Sequence, residues 1–279
     1  FMFCGTIGRN MYRYSKKEWQ EFYMKNRKSF YRWKKHMLTV MAGVMLFSGS
    51  TCLAEEETDE EDLLQPSTIT YQDGVTHHLE EPSTSVETTY ELNMDTLLQN
   101  PELPTGCESV ALTMVLNYWG YPIAKTRLVD EYLVYNEDNF AAGYVGDPYS
   151  DEGAGVFSPG LTKTANAYLE DQGSELEARN ISGCEFSKLY DYVEAGYPVI
   201  VWTTMYMSEP VATDDFCEYE GHEYQWFNNE HCVVFMGFHK DTNEVVINDP
   251  LEGIVYRDAT DFEEIFDRMG KQAVVIREQ

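Results

Sequence analysis

The stretch that most constrains this chain runs from Asn100 to Gly120, Asn-Pro-Glu-Leu-Pro-Thr-Gly-Cys-Glu-Ser-Val-Ala-Leu-Thr-Met-Val-Leu-Asn-Tyr-Trp-Gly. Pro104 and Gly106 interrupt regular structure, and Val110, Ala111, Met114, Val115 and Tyr118 then recur at helical spacing until Gly120. This pattern predicts a helix whose first turn carries Cys107. There, unpaired N–H groups and the positive end of the helix dipole favour thiolate over thiol and make a nucleophile of the side chain. The competing expectation is a buried cysteine acting as a small hydrophobe.

Downstream, the periodicity changes character. Helices are expected at Lys125–Leu133, Ser158–Asp171 (Ser158 as cap, Pro159 at the first position) and Phe186–Glu194. Short β-branched and aromatic runs then follow at 198–204, 231–238, 244–248, 253–256 and 272–276, with a helix at Asp261–Met269 before the last. Helices first and mostly antiparallel strands second is an α+β pattern. The Gly- and Tyr-rich segment 136–160 is expected to be a long loop, either lining a cleft or running over the surface. Tyr144, Tyr149, Trp202 and Trp226 are the aromatic candidates for such a cleft, with core packing as the alternative.

Charge divides the chain of 279 residues unevenly. Ten of the 20 Lys and Arg residues fall within residues 1–36, so the part after Ala54 holds 10 basic and 46 acidic residues, a net charge of −36. Such a surface repels phosphate backbones and disfavours nucleic acid, whereas a basic peptide or protein partner is compatible with it. The basic start, the apolar run Met37–Phe47 and the small residues ending at Ala54 form the pattern of a secretory signal. Met24 is the expected start, and cleavage is expected after Ala54. An uncleaved signal anchor would be the only membrane link, and the run is short for a span of ~20 residues. Lipid attachment at Cys52 is a lesser option. Residues 55–93 open on Glu55-Glu-Glu-Thr-Asp-Glu-Glu-Asp62 and are expected to be an acidic disordered linker or propeptide, with Asp73-Gly74 suited to the turn of a small hairpin. His77 and His78 are expected at the surface. The folded domain is expected over 94–279, secreted or held on the extracellular face.

A cysteine nucleophile needs a base and a group that orients the base. His231 begins a strongly β run, and the returning strand ends in Asn248-Asp249-Pro250. A hairpin centred near Asp241 places residue 249 opposite residue 233, on the face of His231. A one-residue slip would place Asn248 there instead. Both residues also have plain structural uses, His231 as a satisfied half-buried histidine and Asn-Asp-Pro as a turn opener. His222 and His239 are poorer candidates. Of the other cysteines beyond residue 54, Cys184, Cys217 and Cys232 allow at most one disulfide, and no metal-ligand spacing occurs, so no structural metal is expected. A Cys at a helix start with a distant His and an acid is the arrangement expected of a papain-like enzyme.

Leu103-Pro-Thr-Gly-Cys-Glu108 with the following Leu-Asn-Tyr-Trp-Gly, Gly196-Tyr-Pro-Val-Ile-Val-Trp202, His231-Cys-Val-Val-Phe-Met-Gly-Phe238 and Val246-Ile-Asn-Asp-Pro250 resemble the bacterial peptidase C-thirty-nine-like proteins. These are relatives of the double-glycine leader peptidases that process bacteriocins. The resemblance spans about Met94 to Gln279. It implies a papain-like fold with Cys107 as nucleophile, His231 as base and Asp249 as orienting acid, and no cofactor or metal. Papain-like enzymes place a Gln oxyanion donor shortly before the Cys; the residues here are Gln99, Asn100 and Glu102. Glu102 donates only if protonated. The leader peptidases are cytoplasmic domains fused to a transporter, so their leader-processing role is not carried over to a chain with a secretory signal. The expected activity is hydrolysis of a peptide or amide bond through a thioester. Transglutaminase-like acyl transfer and a non-catalytic surface binding module on the same fold are the alternatives.

Overall fold

A computed structural model of the chain describes residues 69–70, 76–77, 88–151 and 153–278. The expected signal, the acidic run and His78 lie outside the described residues. The chain divides into two compact units, one of them Met24–Glu87. Its described part is a two-stranded antiparallel ladder, β1 (Ile69–Thr70) on β2 (Thr76–His77), with Ile69 opposite His77. This pairing is the one expected of the small hairpin, and Asp73 and Gly74 lie outside the described residues.

The larger unit begins, in its described part, at Thr88, inside the stretch expected to be linker. The reason is β3 (Thr89–Glu91), which pairs antiparallel with the end of β8 (Glu230–His239). The sheet order is β10 (Gly253–Asp258), β9 (Glu244–Asp249), β8, β5 (Val199–Thr204), β11 (Ala273–Glu278), β4 (Leu176–Asn180), with every pair antiparallel. Alternation sorts the central strands between two cores. Ile200, Trp202, Cys232, Val234 and Val274 face α1 (Cys107–Tyr118) and α3 (Ser158–Asp171). Val199, Val201, Val233, Phe235 and Val275 face α4 (Ser187–Glu194) and α5 (Ala259–Arg268). The outcome is an α+β architecture with helices on an antiparallel sheet.

α1 is buried at every position from Cys107 to Leu116. A helix buried on all sides is a central one, even though Glu108, Ser109 and Thr113 are among its buried residues. It ends where Gly120, at φ +80°, lets its own N–H and that of Tyr121 turn back to the carbonyls of Asn117 and Leu116. α2 (Lys125–Glu131) follows as expected. Ser158 does not cap α3; its hydroxyl lies 3.2 Å from Gln272 Oε1. β6 (Ala212–Tyr219) and β7 (His222–Phe227) form a separate hairpin around Glu220 and Gly221, both at positive φ. Its Asp- and Glu-rich alternation hides it from a reading based on β-branched runs. Cys107, Cys184, Cys217 and Cys232 are all free thiols. Among the described residues, no helix is long and apolar enough to cross a membrane.

Phe235 is fully buried against Phe186, Tyr190 and Phe262, whereas Phe216 is 53% exposed. Phe235→Ala is therefore expected to cost about 3–5 kcal/mol in urea unfolding, and Phe216→Ala less than about 0.5 kcal/mol.

Candidate active site

Cys107 is the first residue of α1, as the sequence predicts, and Gly106 precedes it as the cap position. The turn before it is braced from the loop 136–160: Tyr144 Oη donates to Thr105 O at 2.7 Å, and Tyr144 is buried. That loop is a packed element with Phe140, Tyr144, Val156 and Phe157 in the core, not a surface excursion. Three of the four aromatic candidates, Tyr144, Trp202 and Trp226, are buried. Trp202 is buried and donates through Nε1 to Val156 O, Trp226 stacks on Phe157, and of the four candidates only Tyr149 is exposed.

His231 Nε2 lies 2.7 Å from Asp249 Oδ1, with both residues buried. Burial opposes ionisation of Asp249, but the His231 charge, its hydrogen bond, the Leu251 N–H and Arg257 outweigh it and hold the carboxyl below its ordinary range. An ionised carboxylate only accepts, so His231 Nε2 carries a proton, and in the neutral ring the lone pair is then on Nδ1. Asp249 Oδ1 also accepts from Leu251 N–H at 2.7 Å, so the turn-opening and ring-orienting uses coexist in one atom.

The register that joins them depends on a bulge. At the hairpin end His239 pairs with Glu244, a spacing that would bring Asp249 to the wrong face at the far end; the shift between Phe235 and Gly237 corrects this, and Val234 pairs with Asn248. Asn248 is turned away, with Nδ2 donating to Asp95 O, so Asp249 and not Asn248 orients the ring.

Cys107 has a different immediate partner. Its Sγ lies 3.3 Å from Glu108 Oε2, and Glu108 Oε1 accepts from Val156 N–H at 2.7 Å. Burial is the largest influence on the thiol and pushes its pKa well up; Glu108, Glu230 and Cys232 add to this, while the Cys232 backbone acts the other way. Burial thus holds the resting sulfur as a thiol. Burial also pushes Glu108 up to about 7 against the pull of Val156 N–H, Cys107 and His231. Glu230 is raised well above its ordinary value by burial and then by Glu108. Neither glutamate stood out in the sequence, since an acid in a first helical turn is routine and Glu230 reads as a strand edge.

Of the three oxyanion candidates, Gln99 is buried, and its Nε2 donates to Pro104 O at 2.6 Å. Asn100 is exposed. Glu102 forms an ion pair with Lys125 at 2.7 Å, which lowers its pKa, so it is an ionised acceptor and not a donor. His222 is exposed, and His239 pairs with Glu91 away from His231.

Because the folded-state pKa of Asp249 lies below its unfolded value, its contribution to stability is present above the ordinary aspartate range and fades as pH falls through the lower value. In urea unfolding across pH, the stability gap between the native chain and Asp249→Asn is expected to be widest near neutrality and to close in acid.

Uncharacterized protein YvpB of Bacillus subtilis (strain 168) is 34% identical over 197 residues, covering 66% of this chain and 75% of that protein. A crystal structure from Bacillus anthracis, of a protein assigned to the C39-like peptidases, is 32% identical, covers 68% of this chain and 98% of that one, and superposes with a TM-score of 0.59. A double glycine motif protease from an AMS/PCAT transporter, solved with its leader peptide, is 19% identical with a TM-score of 0.42, covering 68% and 95% of the two chains. The model of the Peptidase C39-like family matches residues 64–274, about three quarters of the sequence, and the chain belongs to that family.

Proposed function

We propose that this protein is a secreted or cell-surface cysteine peptidase that hydrolyses peptide bonds with Cys107, His231 and Asp249. The observation that carries the reading is the buried His231–Asp249 pair, which lies close enough to Glu108, the residue after Cys107, for His231 to lower the pKa of that carboxyl. Asp249 fixes the ring so that Nδ1 is the basic nitrogen. In the proposed reaction Nδ1 takes the thiol proton as Cys107 Sγ turns from Glu108, and the sulfur attacks the carbonyl carbon. The oxyanion accepts from Cys107 N–H, which has no partner within the helix, and from the second N–H of the Gln99 amide. His231 then returns the proton to the leaving amine, a thioester remains, and water activated by His231 releases the acid. The acidic surface favours basic peptides. The export signal read at residues 37–54 supports an extracellular location, and family membership supports the class of reaction.

A second reading, a non-catalytic binding module, is favoured by the depth of the thiol: Cys107 is only 7% exposed and held neutral beside Glu108. Turnover separates the two. With basic peptide substrates, Cys107→Ser is expected to abolish hydrolysis and His231→Ala to lower kcat/KM by roughly 10²–10⁴-fold. If the native chain turns over no peptide and no peptidyl electrophile labels Cys107, the binding module is the account that stands.

A further inference from the structure

Cys107, Glu108 and Glu230 converge on one spot in the interior. One ligand-type atom from each, the thiol sulfur and two carboxyl oxygens, lies within 4.8 Å of the others, and all three residues are buried. Glu108 spends its oxygens on Val156 N–H and the Cys107 thiol. Glu230 is 8% exposed, and its Oε1 is buried with no hydrogen-bond partner. Among the described residues no Lys or Arg forms an ion pair with either glutamate, and His231 commits Nε2 to Asp249. A buried carboxyl oxygen left unsatisfied is costly, and two acids beside a thiol call for protons or a cation to balance them. The donor set chooses among cations. One sulfur and two carboxylates suit a four-coordinate thiophilic ion, whereas calcium and magnesium take six or more oxygens.

We propose that Cys107, Glu108 and Glu230 form a binding site for one thiophilic divalent cation, zinc or its analogue cadmium, with a water at the fourth position. The Cys107 thiol gives its proton to solvent as the sulfur–metal bond forms, the carboxyl groups give up any protons they hold, and no redox change occurs. The bound ion takes the sulfur lone pair that would attack a carbonyl. That masking of the nucleophile rests on the peptidase reading; the site itself does not.

The test is titration of the full chain with cadmium, following the cadmium–thiolate absorption and competition with a chromophoric chelator, without any substrate. One equivalent is expected to bind and to protect Cys107 from alkylation. Glu230→Gln, close in shape but a poor ligand, is expected to weaken binding at least about tenfold. Glu108→Gln, which still accepts from Val156 N–H, should do the same, Cys107→Ser should lose the absorption band, and Cys184→Ser should bind as the native chain does. Native-strength binding in Glu230→Gln, a band that survives Cys107→Ser, or no bound equivalent at all would each overturn the proposal. Cadmium binding with these variant effects but without peptide turnover would leave the site standing and remove only the peptidase reading.

Discussion

The burial of α1 against the central sheet governs the rest of this structure. Ten consecutive helical residues leave water together, so the helix start that carries Cys107 is carried into the interior with them. Placing a nucleophile at a helix N-terminus ordinarily lowers its pKa. Here the same packing that fixes the helix also removes the solvent that would stabilise a thiolate, and this desolvation raises the Cys107 pKa well above its ordinary value. The chemistry of the site is therefore that of a thiol kept protonated by burial, beside two acids whose pKa values burial raises and a histidine whose Nε2 proton is fixed by the Asp249 carboxylate.

That arrangement is supported from two directions. From the sheet, one irregularity in the β8–β9 hairpin sets the face on which Asp249 appears, and with it the buried hydrogen bond to His231. From the other side, the segment 136–160 reaches both residues at the helix start: Tyr144 holds the Thr105 carbonyl, and Val156 donates to Glu108 while its own carbonyl accepts from Trp202. At Gly155 a side chain would collide with the Glu108 carboxyl and with Trp226, so the close approach of that backbone needs glycine. Loop and nucleophile are thereby held in one hydrogen-bonded unit.

Much of this was legible from the residues. Apolar spacing between a Pro-Thr-Gly start and a Gly stop located α1, β-branched runs located β5, β8, β9, β10 and β11, and a hairpin count placed Asp249 on the face of His231. The count succeeded although the turn is centred between Asp241 and Thr242 and not on Asp241, because the bulge offsets the difference. Strands rich in acidic residues, β6 and β7, escaped notice, as did β3, which is only three residues long and owes its existence to its partner. Tyr144, Trp202 and Trp226 could be read as cleft or core aromatics, and the structure places them in the core.

What the sequence determined alone is local in origin: where the helices and strands start and stop, which residue types carry the chemistry, and the sign of the surface charge. These follow from periodicity, turn residues and composition, which need no partner from elsewhere in the chain. The tertiary structure decided which groups share a dielectric and a hydrogen bond. Glu108 and Glu230 are 122 positions apart, and nothing in either neighbourhood announces the other; only packing α1 on β8 makes them neighbours of one sulfur and shifts both away from their ordinary titration. Ionisation depends on burial and on charges a few ångströms away, and those are properties of the assembled core.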